Sequence, residues 1–191
     1  MKVPGLIEKV RVKVKNLLNG YVSSPVITEN INKYIVPPGL GEPVFDKLEA
    51  DLGKALLSIP AVKGVEFGTG FGLAALKGSE ANDIPYLDGD VIRFRTNHSG
   101  GIDGGISNGE PVWLRAAMKP IPTTRKGQDT IDLVTGKPSL TYYERSDVCP
   151  VPRAVIVLEA IVAFVAADAL LEKLGGDSIA EQRPRFDALR R

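Results

Sequence analysis

From Lys9 to Val14 the chain alternates, with Val10, Val12 and Val14 on one side and Lys9, Arg11 and Lys13 on the other. That period of two predicts a half-buried or edge strand. Asn19-Gly20 suits a tight turn and Tyr21-Val22 the start of a return strand. Ser23 to Lys33 is polar and without period. Pro37-Pro38-Gly39-Leu40-Gly41 halts any preceding element. Phe45, Leu48, Leu52 and Leu56 then recur at helical spacing, which predicts an amphipathic helix over 44–58. Gly53 weakens it by about 1 kcal/mol relative to alanine, a cost that packing can offset. Strands are expected at Val62 to Phe67, Val91 to Thr96, Val112 to Met118 and Thr130 to Val134, with Asn82 to Asp90 as a loop and Gly136-Lys137-Pro138 as a turn. A long apolar helix is expected from Pro152 to about residue 174, stopped by Gly175-Gly176. The tail beyond, with Arg183, Arg185, Arg190 and Arg191, reads as exposed. This succession implies an α+β fold.

Pro152 to Leu171 is apolar enough to raise the question of a membrane span. Arg153, Glu159 and Asp168 lie within it. A charge near a bilayer centre costs roughly 2.5–3.5 kcal/mol on insertion scales, so a core helix is the expectation, with no membrane partner. The N-terminal Met1-Lys2-Val3-Pro4-Gly5 lacks a signal-peptide pattern. The chain has 191 residues, 43% hydrophobic and 25% charged, with a net charge of +1. That balance is ordinary for a globular domain, and it lacks the basic excess that nucleic acid binding requires. The single cysteine, Cys149, excludes an internal disulfide and fits a reducing cytoplasm.

Few segments carry chemistry. Ser99 to Gly109 holds five glycines. It could let backbone amides approach an anion or a flat cofactor, or it could be a plain flexible turn. Lys119-Pro120-Ile121-Pro122-Thr123-Thr124 sets a cation beside a stiff segment and two hydroxyls, which suits a phosphate but equally a strand end with a surface lysine. Arg145-Ser146-Asp147 precedes the long helix. Asp147 can serve as capping-type decoration there, or Arg145 can hold an anionic ligand with Asp147 as a proton acceptor. His98, the only histidine, reads as a solvated loop residue, Cys149 as a packed thiol, and Asp88 with Asp90 as a solvated turn rather than a metal site.

Five collinear segments together resemble the chorismate synthase family. They are Pro38 to Leu48, Ser58 to Gly68, Asn97 to Gly109, Lys119 to Thr123, and Arg145 to Pro152 with Glu159 downstream. The resemblance spans roughly residues 37–178, leaving 1–36 as a poorly matched segment and 179–191 as a tail. It implies a sandwich of antiparallel sheets and helices built from two similar halves, of which this chain would be the C-terminal one. It also implies a lyase that eliminates phosphate and a C6 proton from 5-enolpyruvylshikimate 3-phosphate with the help of reduced FMN, in aromatic amino acid biosynthesis. By the same resemblance Pro60, Ala61, Gly104, Lys119, Pro120, Ile121, Pro122, Thr123 and Arg145 contact the flavin, and Asp147 assists proton removal near its N5. Family members are tetrameric and about twice as long. They carry two catalytic histidines and an Arg/Ser-rich segment in a first half that has no counterpart here, and His98 stands in the wrong motif to replace either. Expected states are therefore a cytoplasmic homo-oligomer, an enzyme completed by a separate N-terminal half, or an inactive flavin-binding or oligomerising remnant.

Overall fold

The computed structural model describes residues 11–16 (backbone only), 36–123, 125–145 and 149–189. Its centre is a three-stranded sheet in the order β1 (Arg11–Asn16), β7 (Trp113–Met118), β2 (Val62–Phe67). β1 runs parallel to β7, and β2 runs antiparallel to it with a register shift between Val62 and Gly64. The described part of the alternating segment, from Arg11 on, therefore lies in an edge strand that runs to Asn16. The expected Asn19-Gly20 turn and Tyr21-Val22 strand lie outside the described residues.

Two helices pack on this sheet. Helix α1 (Leu48–Leu57) buries Leu48, Leu52 and Leu56. Helix α3 (Val151–Leu174) buries Ala154, Leu158, Val162, Ala166 and Leu170. Leu114 and Ala116 of β7 alternate inward and are buried in the same cluster. Val36, Leu40, Ile102 and Val112 close the core. Expected helix 44–58 is shorter at its start because Phe45 has a φ of +62° and sits 90% exposed, outside the helical region.

Three two-stranded hairpins leave this core: β3 (Pro85–Asp88) with β4 (Val91–Phe94), β5 (Ile102–Asp103) with β6 (Ile106–Ser107), and β8 (Asp129–Ile131) with β9 (Pro138–Leu140). A 3₁₀ turn at Gly70–Ala75 and the short helix α2 (Gly78–Ala81) connect β2 to the first of them. The loop expected at Asn82 to Asp90 thus contains a strand, and the turn expected at residues 136–138 leads directly into β9.

The segment read as an exposed tail forms helix α4 (Ile179–Leu189), with Phe186 buried among the core residues. Arg185 donates to the carbonyl of Leu174 at 2.5 Å, satisfying one of the unpaired acceptors at the end of α3. A tail that docks a side chain and caps a helix has a structural role that its polar composition did not suggest.

Helix α3 is long and apolar enough to cross a membrane by length and composition. One face packs into the core, whereas Ile156, Val157, Phe164 and Leu171 on the other are exposed. The expectation of a core helix therefore holds for the inner face alone.

Leu158 and Ile156 lie two residues apart on opposite sides of α3, fully buried and 70% exposed respectively. Leu158→Ala should cost about 2–5 kcal/mol in urea unfolding, through lost burial and the cavity left behind. Ile156→Ala should stay within about 0.5 kcal/mol. Equal effects would contradict this assignment of the two faces.

Candidate functional site

The glycine-rich segment is a set of close backbone crossings. Gly68, at the end of β2, donates to the carbonyl of Trp113 at 2.8 Å, and Trp113 donates to the carbonyl of Gly100 at 2.9 Å. A Cβ on Gly68, whose φ is +54°, would lie 1.9 Å from the carbonyl oxygen of His98. One on Gly100 would meet the amide of Gly68 at 2.4 Å. Only glycine permits that approach. Gly104 and Gly105 form the two-residue turn of the β5–β6 hairpin, both with positive φ, as such turns require. Around Gly104 the space is open, while the Gly105 carbonyl accepts from Leu48 at the start of α1 (2.9 Å). These glycines differ by position: Gly68, Gly100 and Gly105 are sterically required by the packing, and Gly104, in the hairpin turn, faces free space.

A second cluster lies at the other end of β7. Pro60 and Ala61 make the turn between α1 and β2, with Ala61 at a φ of +69°. The Ala61 carbonyl accepts from the backbone of Lys119 at 2.6 Å. Pro60-Ala61 and Lys119, 58 positions apart in the chain (119 − 61), are thereby side by side. Lys119 to Thr123 continues from there in irregular conformation, with the lysine exposed. Arg145 is exposed as well, and neither cation makes a side-chain hydrogen bond or ion pair among the described residues. Asp147 lies outside the described residues.

The candidate residues therefore form two groups rather than one. Gly105, which shares the hairpin turn with Gly104, is tied to the first residue of α1, and Pro60-Ala61 follows its last turn. Ten helical residues at 1.5 Å each separate them by about 15 Å.

Asp83, which fell in the expected loop, organises the segment that leads into the glycine crossing. One carboxylate oxygen accepts from the hydroxyl of Thr96 (2.5 Å) and the amide of His98 (2.8 Å), and the other accepts from the amide of Ser99 (2.8 Å). Burial pushes the carboxyl up, but these hydrogen bonds outweigh it and hold it below its ordinary 3.8. His98 Nδ1 lies 2.8 Å from the Thr69 hydroxyl, which ties the loop to the end of β2. Arg115 adds a third brace: it pairs with Glu66 at 2.9 Å, donates to the carbonyls of Gly68 and Thr69, and lies over the Trp113 ring at 5.2 Å. Sequence reasoning missed both Asp83 and Arg115. An aspartate just ahead of Ile84-Pro85 was a signal for a turn anchor, but nothing local marked its partners. An open cleft of about 420 Å³ beside this segment is lined by Phe94, Arg95, Asn97, Glu110 and Trp113 among others, and by none of the expected cofactor residues. No cluster with metal-ligand composition occurs among the described residues.

Because the folded Asp83 carboxyl titrates below its unfolded value, its stabilising effect is complete well above pH 3.8. It should disappear as pH falls through the lower folded value. Asp83→Asn should accordingly lower stability at neutral pH, and the gap from the parent chain should close in acid. A gap that stays constant down to pH 2–3 (roughly a unit or more below the carboxylate range) would refute the clamp.

The family model described as chorismate synthase matches residues 23–171. Chorismate synthase of Thermobifida fusca is 53% identical over 150 residues, 78% of this chain and 38% of that protein. The enzyme of Prochlorococcus marinus is 56% identical over 146 residues, 75% of this chain and 40% of that protein. A crystal structure of chorismate synthase superposes with a TM-score of 0.65 at 39% identity, covering 82% of this chain and 40% of that one. The chain thus spans about two-fifths the length of the relatives it matches. The match begins at residue 23, inside the segment that had been expected to fit poorly. With most of its length aligned at about half identity, the chain belongs to the chorismate synthase family.

Proposed function

We propose that this chain supplies part of the flavin and substrate machinery of a chorismate synthase, and that turnover requires the remainder of a family member. The reaction would be loss of phosphate and a proton from 5-enolpyruvylshikimate 3-phosphate to give chorismate, in the cytoplasm. The observation that carries this reading is the backbone bond from Lys119 to Ala61. It draws together two segments that the family resemblance assigns to flavin contact, without help from the residues that relatives have in addition.

The residues fit reduced FMN on chemical grounds. Lys119 and Arg145 are exposed cations able to hold a phosphate, Thr123 adds a hydroxyl, and the open space over Gly104 admits a flat group. FMN is extended, a ring system with a phosphate-ended tail, so contacts at both ends of α1 are compatible with one ligand. When bound, the reduced flavin would supply transient electron donation to the substrate. Pro60, Ala61, Pro120, Ile121 and Pro122 would shape the wall against it, stiffened by three prolines that need little ordering on binding. Asp147 would accept the proton, and Arg145 two residues earlier would orient the anionic ligand. Acid–base groups of the family that have no counterpart here would come from the complementary half, within a homo-oligomer or a two-chain assembly.

Two outcomes follow. The isolated chain should bind FMN more weakly than micromolar, about −8 kcal/mol, and form no chorismate under anaerobic conditions with dithionite-reduced flavin. On addition of an N-terminal half from a relative, chorismate should appear. Asp147→Asn should then cut the rate by about 10²–10⁴-fold, as loss of a general base does, while His98→Ala changes it little. Turnover by the isolated chain, or a reconstituted enzyme indifferent to Asp147→Asn, would defeat the proposal.

A further inference from the structure

The β5–β6 hairpin has little means of holding itself in place. Its strands are two residues each, and its turn is Gly104-Gly105, with φ of +60° and +95°. A lone two-stranded hairpin is marginal in water, and glycine loses more freedom on ordering than any other residue. The position of the turn must therefore come from what the hairpin touches.

It touches the strap Pro37-Pro38-Gly39-Leu40-Gly41, and the contact centres on Ser107, which is 3% exposed. The Ser107 hydroxyl donates to the Pro37 carbonyl (2.6 Å) and accepts from the Leu40 amide (2.9 Å). Its backbone carbonyl accepts from Gly39 (2.8 Å), and its amide donates to the Leu40 carbonyl (2.9 Å). The strap is itself anchored. Two prolines fix φ at its entry, Leu40 is fully buried, and the side chain of Lys173 at the end of α3 lies against Gly39. It also abuts the turn: a Cβ on Gly41 would lie 2.4 Å from the Gly105 carbonyl oxygen, the same oxygen that accepts from Leu48. Alanine at 107 would leave the Leu40 amide and the Pro37 carbonyl without the hydroxyl, at a site with little access for water to replace it.

We infer that Ser107 is a positioning residue for cofactor binding: its hydroxyl fixes the Gly104-Gly105 turn in advance, so that a flat group settling over Gly104 does not have to order it. The inference rests on the reading of Gly104 as a flavin contact, and it gives the role to a side chain that faces the strap rather than the ligand. A turn that is ordered only part of the time weakens apparent affinity in proportion, and leaves the bound state as it was.

Two measurements on Ser107→Ala test this. In the full chain without flavin, the amides of Ser107 and Leu48 report the strap contact and the turn contact respectively. Both should exchange at least about tenfold faster than in the parent chain, beyond any change at Leu114. The second measurement uses the chain combined with an N-terminal half from a relative. Titration with FMN, followed by flavin fluorescence, should show binding weakened by about tenfold. The FMN concentration giving half-maximal rate should rise to match, while the rate at saturating FMN holds within about twofold. Ser107→Cys, close in shape but a weak donor and acceptor, should fall between parent and alanine, and it carries the test if the alanine variant fails to fold. Unchanged exchange at Ser107 and Leu48, or unchanged FMN affinity in a folded variant, would overturn the inference while leaving the functional reading intact. So would a loss confined to the saturated rate, the mark of a residue that only supports the fold. A parent combination that takes up no FMN would overturn the functional reading, and the positioning role with it.

Discussion

Strand β7 depends on the absence of side chains at its entrance. Trp113 receives the amide of Gly68 and gives its own to Gly100, and the two glycines pass so closely that a single methyl on either would collide with backbone. That crossing sets where β2 ends and where β7 begins. With both strands anchored there, their far ends meet, and Ala61 accepts from Lys119. The geometry of the Ala61–Lys119 junction is thus set about a strand length away, by the glycine crossing.

Polar braces hold the crossing in place. Asp83 gathers Thr96, His98 and Ser99, and Arg115 ties Glu66 to the carbonyls of Gly68 and Thr69. Hydrogen bonds to charged groups are worth about 1.5–3 kcal/mol each when well formed, less where solvent competes. Beneath them the apolar layer of Leu48, Leu52, Leu56, Leu114 and Leu158 supplies the larger share of burial. Lys119 stands exposed beside this frame, a cation open to solvent.

Period and punctuation made the central frame legible in the sequence. Leu48, Leu52 and Leu56 marked α1, alternation marked β2, the stretch ended by Lys119-Pro120 marked β7, and an apolar run between Pro152 and Gly175 marked α3, each within a few residues of its observed limits. β3 was not legible because all four of its residues are exposed, so no inward face imposed a period of two. β5 and β6 are two residues each, too short for any pattern. At the site, Gly104, Pro60 and Lys119 were recognisable as segments, but whether they meet is decided by the glycine crossing and the β2–β7 register. Asp83 escaped notice since its partners stand 13 to 16 positions away across a turn. Chemistry that depends on spatial neighbours is invisible to spacing.

The central claim is that the Pro60-Ala61 turn and the Lys119 segment are pre-assembled in this chain without the other three-fifths of a family member. Amide hydrogen exchange of the isolated chain reads it directly, at the backbone N–H of Lys119, with Leu114 in the core strand as reference. The account requires Lys119 to exchange at least about 10²-fold slower than an unstructured amide, a local opening cost near 2.7 kcal/mol. Exchange of Lys119 at the unstructured rate while Leu114 stays protected would contradict it, and would mean that the junction forms only when the rest of the enzyme arrives.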